Sequence, residues 1–98
     1  MKLWIDDVRE APKDYLRIYT VNEAKDWIIT LEHKGIEIEL IDIDHDAGNC
    51  ACDGGDYIKL LDWLEATGRS YPIHIHSMNL VGVQNMRAII EKNGWAEV

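Results

Sequence analysis

The chain has 98 residues, of which 47% are apolar and 29% charged, and this composition is that of one soluble globular domain over residues 1–98. No apolar run approaches the ~18 residues that a membrane span needs, and acidic side chains precede any signal-like stretch, so we expect a cytoplasmic protein with no membrane partner. Eighteen acidic and ten basic residues give a formal net charge of −8, which argues against a duplex DNA partner.

The first third of the chain predicts two strands and a helix. Residues 2–5 are apolar and β-prone, and they stop at the acidic pair Asp6-Asp7, which is typical of a buried strand that ends at a polar edge. Residues 16–21 are rich in β-branched and aromatic side chains and predict a second strand. Asn22 is a suitable N-cap for the amphipathic helix that follows, whose apolar residues recur at helical spacing.

The middle of the chain adds a strand, a loop and a second helix. Gly35 ends the first helix, and residues 36–43 alternate at first and then run apolar, which indicates a strand. Residues 48–56 are small, polar and glycine-rich, so they indicate a loop. Leucines at helical spacing after Tyr57 predict a helix that ends before Gly68.

The last part of the chain repeats this alternation. Residues 72–76 predict a fourth strand, Asn79 is a second candidate N-cap, and a third helix ends at Gly94. Residues 95–98 predict a short fifth strand. Because strands that alternate with helices indicate right-handed crossovers, we expect a three-layer α/β/α sandwich with a parallel four- or five-stranded sheet.

Polar clusters follow three of the predicted strands. In parallel α/β sheets the ligand crevice lies at the carboxyl ends of the strands, so these clusters are expected to meet at one edge. The clusters are Asp6-Asp7, Asp44-His45-Asp46 and His76-Ser77-Met78-Asn79.

The excess of carboxylates at this edge predicts a divalent cation. Carboxylates that lie close together raise one another's pKa or require a counterion, and Mg²⁺ or Mn²⁺ bound through one or two of them could also bridge to a phosphate oxygen. The alternative is that many of these acids only solvate loops and strand ends. The predicted metal ligands are Asp6, Asp7, Asp44 and Asp46.

Two histidines at the same predicted edge indicate proton transfer. An imidazole beside carboxylates can act as a general acid or base near neutral pH, although a single histidine is more often structural. The predicted catalytic residues are His45, His76 and the metal-binding Asp44.

Three further side chains are candidates for holding a phosphate. Arg9 could clamp it in bidentate fashion, Ser77 could donate a hydrogen bond, and Asn79 could bind it or serve only as a helix cap. Two other features are given structural interpretations: Cys50 and Cys52 as reduced loop residues, and Gly82 as a turn glycine.

The clusters together resemble the receiver domains of response regulators, and more specifically the branch described as the cyclic-phosphate processing receiver domain. The resemblance is carried by residues 3–12 (LWIDDVREAP), 44–48 (DHDAG) and 76–82 (HSMNLVG), which occur in that order. It implies a receiver-like (flavodoxin-like) sheet. Ordinary receivers also carry a lysine that pairs with the phosphoryl group, but after Ser77 this chain has only Lys92, within a predicted helix.

The resemblance implies metal-dependent hydrolysis of a cyclic phosphate, either at the 2′,3′-cyclic end of an RNA or in a cyclic nucleotide, in a setting such as RNA repair. The expected partner is therefore a phosphate-containing small molecule or an RNA end. In this interpretation His45 activates water as the base, and His76 protonates the leaving ribose oxygen as the acid.

Two other functions are weighed against this one. A non-catalytic receiver-like module for signalling or binding, with a protein partner, is favoured by the missing lysine and opposed by the two histidines. A haloacid-dehalogenase-like phosphatase is suggested by residues 40–44 (LIDID), but that signature belongs on the first strand and needs a later lysine and acidic pair.

Overall fold

Four short strands and three α-helices make up the fold in the computed structural model, which describes all 98 residues. The strands are β1 (Lys2–Ile5), β2 (Tyr15–Ile18), β3 (Leu40–Ile43) and β4 (Ile73–Ile75), and the helices are α1 (Val21–His33), α2 (Ile58–Ala66) and α3 (Leu80–Asn93). All strand pairs are parallel, and the sheet order is β2-β1-β3-β4. The predicted receiver-like α/β fold is confirmed.

Alternate residues of the strands divide between the two faces of the sheet. Ile5 of β1 and Ile43 of β3 are fully buried and belong to a core cluster of 19 buried residues that includes side chains from all three helices. Trp4 and Asp42 lie on the opposite face of the sheet, outside that cluster, and are neighbours in the parallel register. The sheet register therefore sets an indole and a carboxylate side by side just below the carboxyl edge.

The strands are shorter than the sequence predicts. β3 begins at Leu40 instead of residue 36, because Leu40 is the register partner of Lys2, where β1 itself begins. β2 ends at Ile18 instead of residue 21, since the cap of α1 lies directly beyond it. The predicted fifth strand is reduced to one parallel bridge between Ile73 and Glu97.

The predicted cap of α1 is wrong by two residues. The cap is Thr20, whose Oγ1 accepts a hydrogen bond of 3.0 Å from the Glu23 N–H, while Glu23 Oε1 accepts one of 2.7 Å from the Tyr19 N–H. This reciprocal pair satisfies two free N–H groups, which a cap at Asn22 could not do. Asn22 instead lies in the first turn and donates to Asp53.

The loops that follow β1, β3 and β4 at their carboxyl ends carry the predicted site. The β1–β2 connection contains no helix, so residues 6–14 form a loop at that edge. The β3–α2 connection contains only a short 3-10 helix, Gly48–Cys52. None of the helices combines the length and the hydropathy that crossing a membrane requires.

Candidate active site at the carboxyl edge of the sheet

Asp6, the first residue after β1, is fully buried and uses both of its carboxylate oxygens within the fold. Oδ1 accepts hydrogen bonds from the N–H groups of Val8 (2.8 Å) and Arg9 (3.1 Å), and Oδ2 lies 2.9 Å from Nε2 of His76. Burial alone would raise the pKa of Asp6, but these three hydrogen bonds outweigh it and the pKa is lowered. Asp6 is therefore an ionised carboxylate that shapes the turn beyond β1.

His76, just beyond β4, lies between two carboxylates. Nδ1 is 2.6 Å from Oδ1 of Asp42, Nε2 faces Asp6, and the ring stacks on Trp4 with 3.9 Å between centroids and 3° between planes. Because ionised carboxylates can only accept, this geometry favours an imidazolium with a proton on each ring nitrogen. Burial lowers the pKa of His76, but hydrogen bonds and charge from Asp42 and Asp6 prevail and raise it.

Arg9 ties the loop beyond β1 to the end of β4. Its Nη1 donates a hydrogen bond of 2.6 Å to the carbonyl oxygen of His76, and its own carbonyl oxygen accepts one of 3.0 Å from Nε1 of Trp4. The other N–H groups of this exposed guanidinium make no hydrogen bond within the chain. Arg9 is thus held in place with donors left over for a phosphate.

His45 is oriented by Asp46 and lies against the start of α3. Its Nδ1 is 2.7 Å from Oδ1 of Asp46 and 3.5 Å from Nδ2 of Asn79, and the shorter contact, with a carboxylate, favours a proton on Nδ1; Nε2 has no hydrogen-bond partner in the chain. The amide nitrogen of Asn79 lies 3.4 Å from both Asp46 oxygens. The neutral ring would therefore present an unprotonated Nε2, the form required of a general base.

Gly82 makes room for this ring. A Cβ at Gly82 would lie 2.4 Å from Cγ and 2.5 Å from Cδ2 of His45, closer than side chains approach. Gly82 belongs to the first turn of α3, so its interpretation as a turn glycine is wrong. The missing Cβ lets the imidazole lie directly on the helix.

Asp7 and Asp44 are the two predicted ligands with the most free oxygen atoms. Asp7 accepts no hydrogen bond, and its Oδ2 would be 2.6 Å from a Cβ at Gly48, a residue with a φ of 55°. Asp44 accepts only the N–H of its neighbour His45, at 2.8 Å. Both are half-buried.

The negative charges of these acids act on one buried phenol. Tyr57 is buried, and its hydroxyl donates a 2.7 Å hydrogen bond to the carbonyl oxygen of Tyr19. Burial, followed by the negative charges of Asp7, Asp6 and Asp44 among others, raises the pKa of Tyr57 far above its usual range. Asp7 also lies beside Gly48, so the loops beyond β1 and β3 meet at this edge of the sheet.

The side chains at this edge of the sheet form no closed metal site. No group of three or more His, Cys, Asp or Glu side chains in residues 1–98 is arranged to hold a metal ion. Mg²⁺ needs only one or two carboxylates and keeps several waters, so Asp7 and Asp44, which have uncommitted oxygens, stay the predicted ligands. Asp6 and Asp46 serve as hydrogen-bond partners of the two histidines, and their ligation of a metal stays a prediction.

Ser77 and Asn79 have structural partners at the start of α3. Ser77 Oγ accepts a 3.1 Å hydrogen bond from the Asn79 N–H, and Asn79 Oδ1 accepts one of 2.9 Å from the Gly82 N–H. The predicted N-cap at Asn79 is confirmed. Substrate binding by Ser77, Asn79 and Arg9 stays a prediction.

Sequence reasoning missed Asp42 and Trp4 as members of this cluster. Asp42 is 6% exposed and pairs with His76, which argues against its use as a phosphatase nucleophile. The signal was the strand alternation, which places both residues on the face that His76 caps. Lys92 lies in α3 with its Nζ 3.4 Å from Glu65 Oε2, so it is already paired away from the phosphoryl position of an ordinary receiver.

The family model of the cyclic-phosphate processing receiver domain matches residues 1–92, nearly the whole chain. Comparisons with curated proteins and with solved structures returned no match.

Proposed function

The chain belongs to the cyclic-phosphate processing receiver domain family, and from this premise we propose that it is a metal-dependent phosphoesterase that opens cyclic phosphates. The observation that carries the proposal is His45, whose Nδ1 is fixed by Asp46 and whose Nε2 has no partner in the chain. The uncommitted carboxylates of Asp7 and Asp44 belong to the same edge of the sheet. A general base and a bound cation are the two parts of a metal-dependent phosphoester hydrolysis.

His45 is the proposed general base. Nε2 takes a proton from a water molecule, the water oxygen attacks phosphorus, and the bond from phosphorus to one ribose oxygen breaks. That ribose oxygen takes up a proton from solvent, and the product is a phosphomonoester. Asp46 holds the ring in the required tautomer and stabilises the imidazolium that forms, as a carboxylate does for a catalytic histidine elsewhere.

Asp7 and Asp44 are the proposed metal ligands. A bound Mg²⁺ or Mn²⁺ would withdraw charge from the phosphoryl oxygens. The Nη1 of Arg9 donates to the carbonyl oxygen of His76, and the remaining N–H groups of the guanidinium are free to bind the same phosphate. The local cation and guanidinium are needed because the chain as a whole, with a net charge of −8, repels anions.

The test is hydrolysis of a 2′,3′-cyclic nucleotide with Mg²⁺ or Mn²⁺. We expect the wild type to open the ring, and His45→Ala to lower kcat by about 10²- to 10⁴-fold, the usual share of a general base. The matched control is His33→Ala, which removes an exposed histidine at the end of α1, away from the site. No hydrolysis by the wild type, or equal hydrolysis by His45→Ala, contradicts the proposal for this substrate.

A non-catalytic binding module is the second candidate. One observation favours a binding module: both oxygens of Asp6 and both ring nitrogens of His76 have hydrogen-bond partners within the fold. The positions of these two side chains are therefore explained without a substrate. Such a module would bind a cyclic nucleotide in calorimetry and release it unchanged, whereas the phosphoesterase would release a phosphomonoester.

A further inference from the structure

We propose that His76 is a positioning residue of this site and not its proton donor, and that Asp42 and Trp4 hold it in that role. The inference rests on the proposed function, because it assigns a part within the same reaction. It revises the sequence prediction that His76 protonates the leaving oxygen.

The geometry leaves no ring nitrogen of His76 for a substrate. Nδ1 and Nε2 are committed to Asp42 at 2.6 Å and Asp6 at 2.9 Å, and one ring face lies on Trp4. The side chain is 10% exposed. To donate a proton to a substrate, the ring would have to leave a carboxylate unpaired in a buried place, which is costly.

The same contacts explain what His76 positions. Its ring joins β3 to the end of β1 through Asp42 and Asp6, and its carbonyl oxygen holds Arg9. Asp6 in turn accepts the N–H groups of Val8 and Arg9, so the turn that carries Asp7 depends on the orientation of its carboxylate. Loss of the imidazole leaves the His76 carbonyl oxygen in place but frees Asp6, so it should displace the turn that carries Asp7 and Arg9 and leave His45 in place.

Leaving-group chemistry separates a positioning residue from an acid. A ribose oxygen leaves as a strongly basic alkoxide and gains from an acid, whereas 4-nitrophenolate leaves without one. If His76 positions, His76→Gln should lower kcat/KM for a 2′,3′-cyclic nucleotide and for bis(4-nitrophenyl) phosphate by the same factor. Residues that orient metal ligands typically contribute about 10- to 100-fold.

Two variants and one control complete the design. Asp42→Asn should reproduce the loss on both substrates, although Asp42 lies beneath His76 and has no route to a substrate. His74→Gln is the matched control, since His74 is on β4 itself but bonds the carbonyl oxygen of Val98, and it should match the wild type. Unfolding curves establish the folded fraction of each variant, so kcat/KM is compared per folded molecule.

Three results would overturn the inference. A loss in His76→Gln confined to the cyclic nucleotide would make His76 the acid. Wild-type kcat/KM per folded molecule in both variants would reduce it to a purely structural residue. If the wild type hydrolyses neither substrate, the proposed function fails, and NMR then tests whether His76 positions the turn. The amide signals of Asp7 and Arg9 should shift in His76→Gln and stay unshifted in His74→Gln. Unshifted signals in both variants would refute the positioning role of His76.

Discussion

Replacing Gly82 by alanine tests the packing of His45 through stability alone. In the wild type a Cβ at this position would be 2.4 Å from Cγ of His45, and ordinary carbon contacts begin near ~3.5 Å, so the ring would have to move by about 1 Å. Such overpacking typically costs about 1–3 kcal/mol. In isolation, however, alanine inside a helix is favoured over glycine by about 1 kcal/mol.

The sign of the effect should therefore depend on His45. We expect Gly82→Ala to lower the free energy of unfolding by up to about 2 kcal/mol in the wild type, once the helix propensity is subtracted from the clash. In a His45→Ala background the clash is gone, and the same change should raise the free energy of unfolding by about 1 kcal/mol.

Urea unfolding of the four proteins in this cycle measures both effects. The coupling free energy between positions 45 and 82 should reach about 1–3 kcal/mol, as for residues in direct contact. An equal effect of Gly82→Ala in the two backgrounds would refute the packing of the imidazole against α3. A wild-type kcat in Gly82→Ala would separately contradict the need for an undisplaced His45.

Four more predictions concern the candidate site and the fold around it. Asp6 has a lowered pKa, so its stabilisation should be present above its unfolded pKa of about 3.9 and be lost as the pH falls through the lower folded value. His76 has a raised pKa, so its stabilisation should be full below about pH 6.5 and be lost as the pH rises through the folded value. Urea unfolding across pH should show both limbs, and an alkaline limb that persists in His76→Gln would contradict the second. Gly48→Ala should destabilise the fold more than Gly68→Ala in thermal melts, because both residues have a positive φ but only the first meets a carboxylate oxygen, at 2.6 Å; equal losses would dismiss the contact. Thr20→Ala should cost about 1 kcal/mol as a lost helix cap, and an unchanged urea midpoint would count against it.

The sequence was sufficient to predict that the three polar clusters meet at one edge of the sheet. Parallel strands with polar residues at their ends require those ends to meet, and the contacts of His76 with Asp6 and of Asn79 with Asp46 confirm that the three clusters do so. The cap at Asn79 followed from its side chain, but the same rule chose Asn22 where Thr20 is the cap of α1, because the reciprocal bonds of Thr20 and Glu23 decide between neighbouring candidates.

The partners within the site could not be predicted in the same way. That Asp42 pairs with His76 depends on the register between β1, β3 and β4, which alternation along one strand does not specify. That Gly82 faces His45 depends on how closely α3 approaches a distant loop. Both are properties of tertiary packing, so strand ends were predictable and side-chain pairs were not.

Trp4, Arg9 and His76 contact one another in a closed circuit. The indole N–H donates to the Arg9 carbonyl, the Arg9 guanidinium donates to the His76 carbonyl, and the imidazole stacks on the indole. Breaking one link should loosen the other two, so we expect losses from combined substitutions to fall short of the sum of the individual ones. A natural variant that has already lost one member of the circuit would have less to lose from changing the rest.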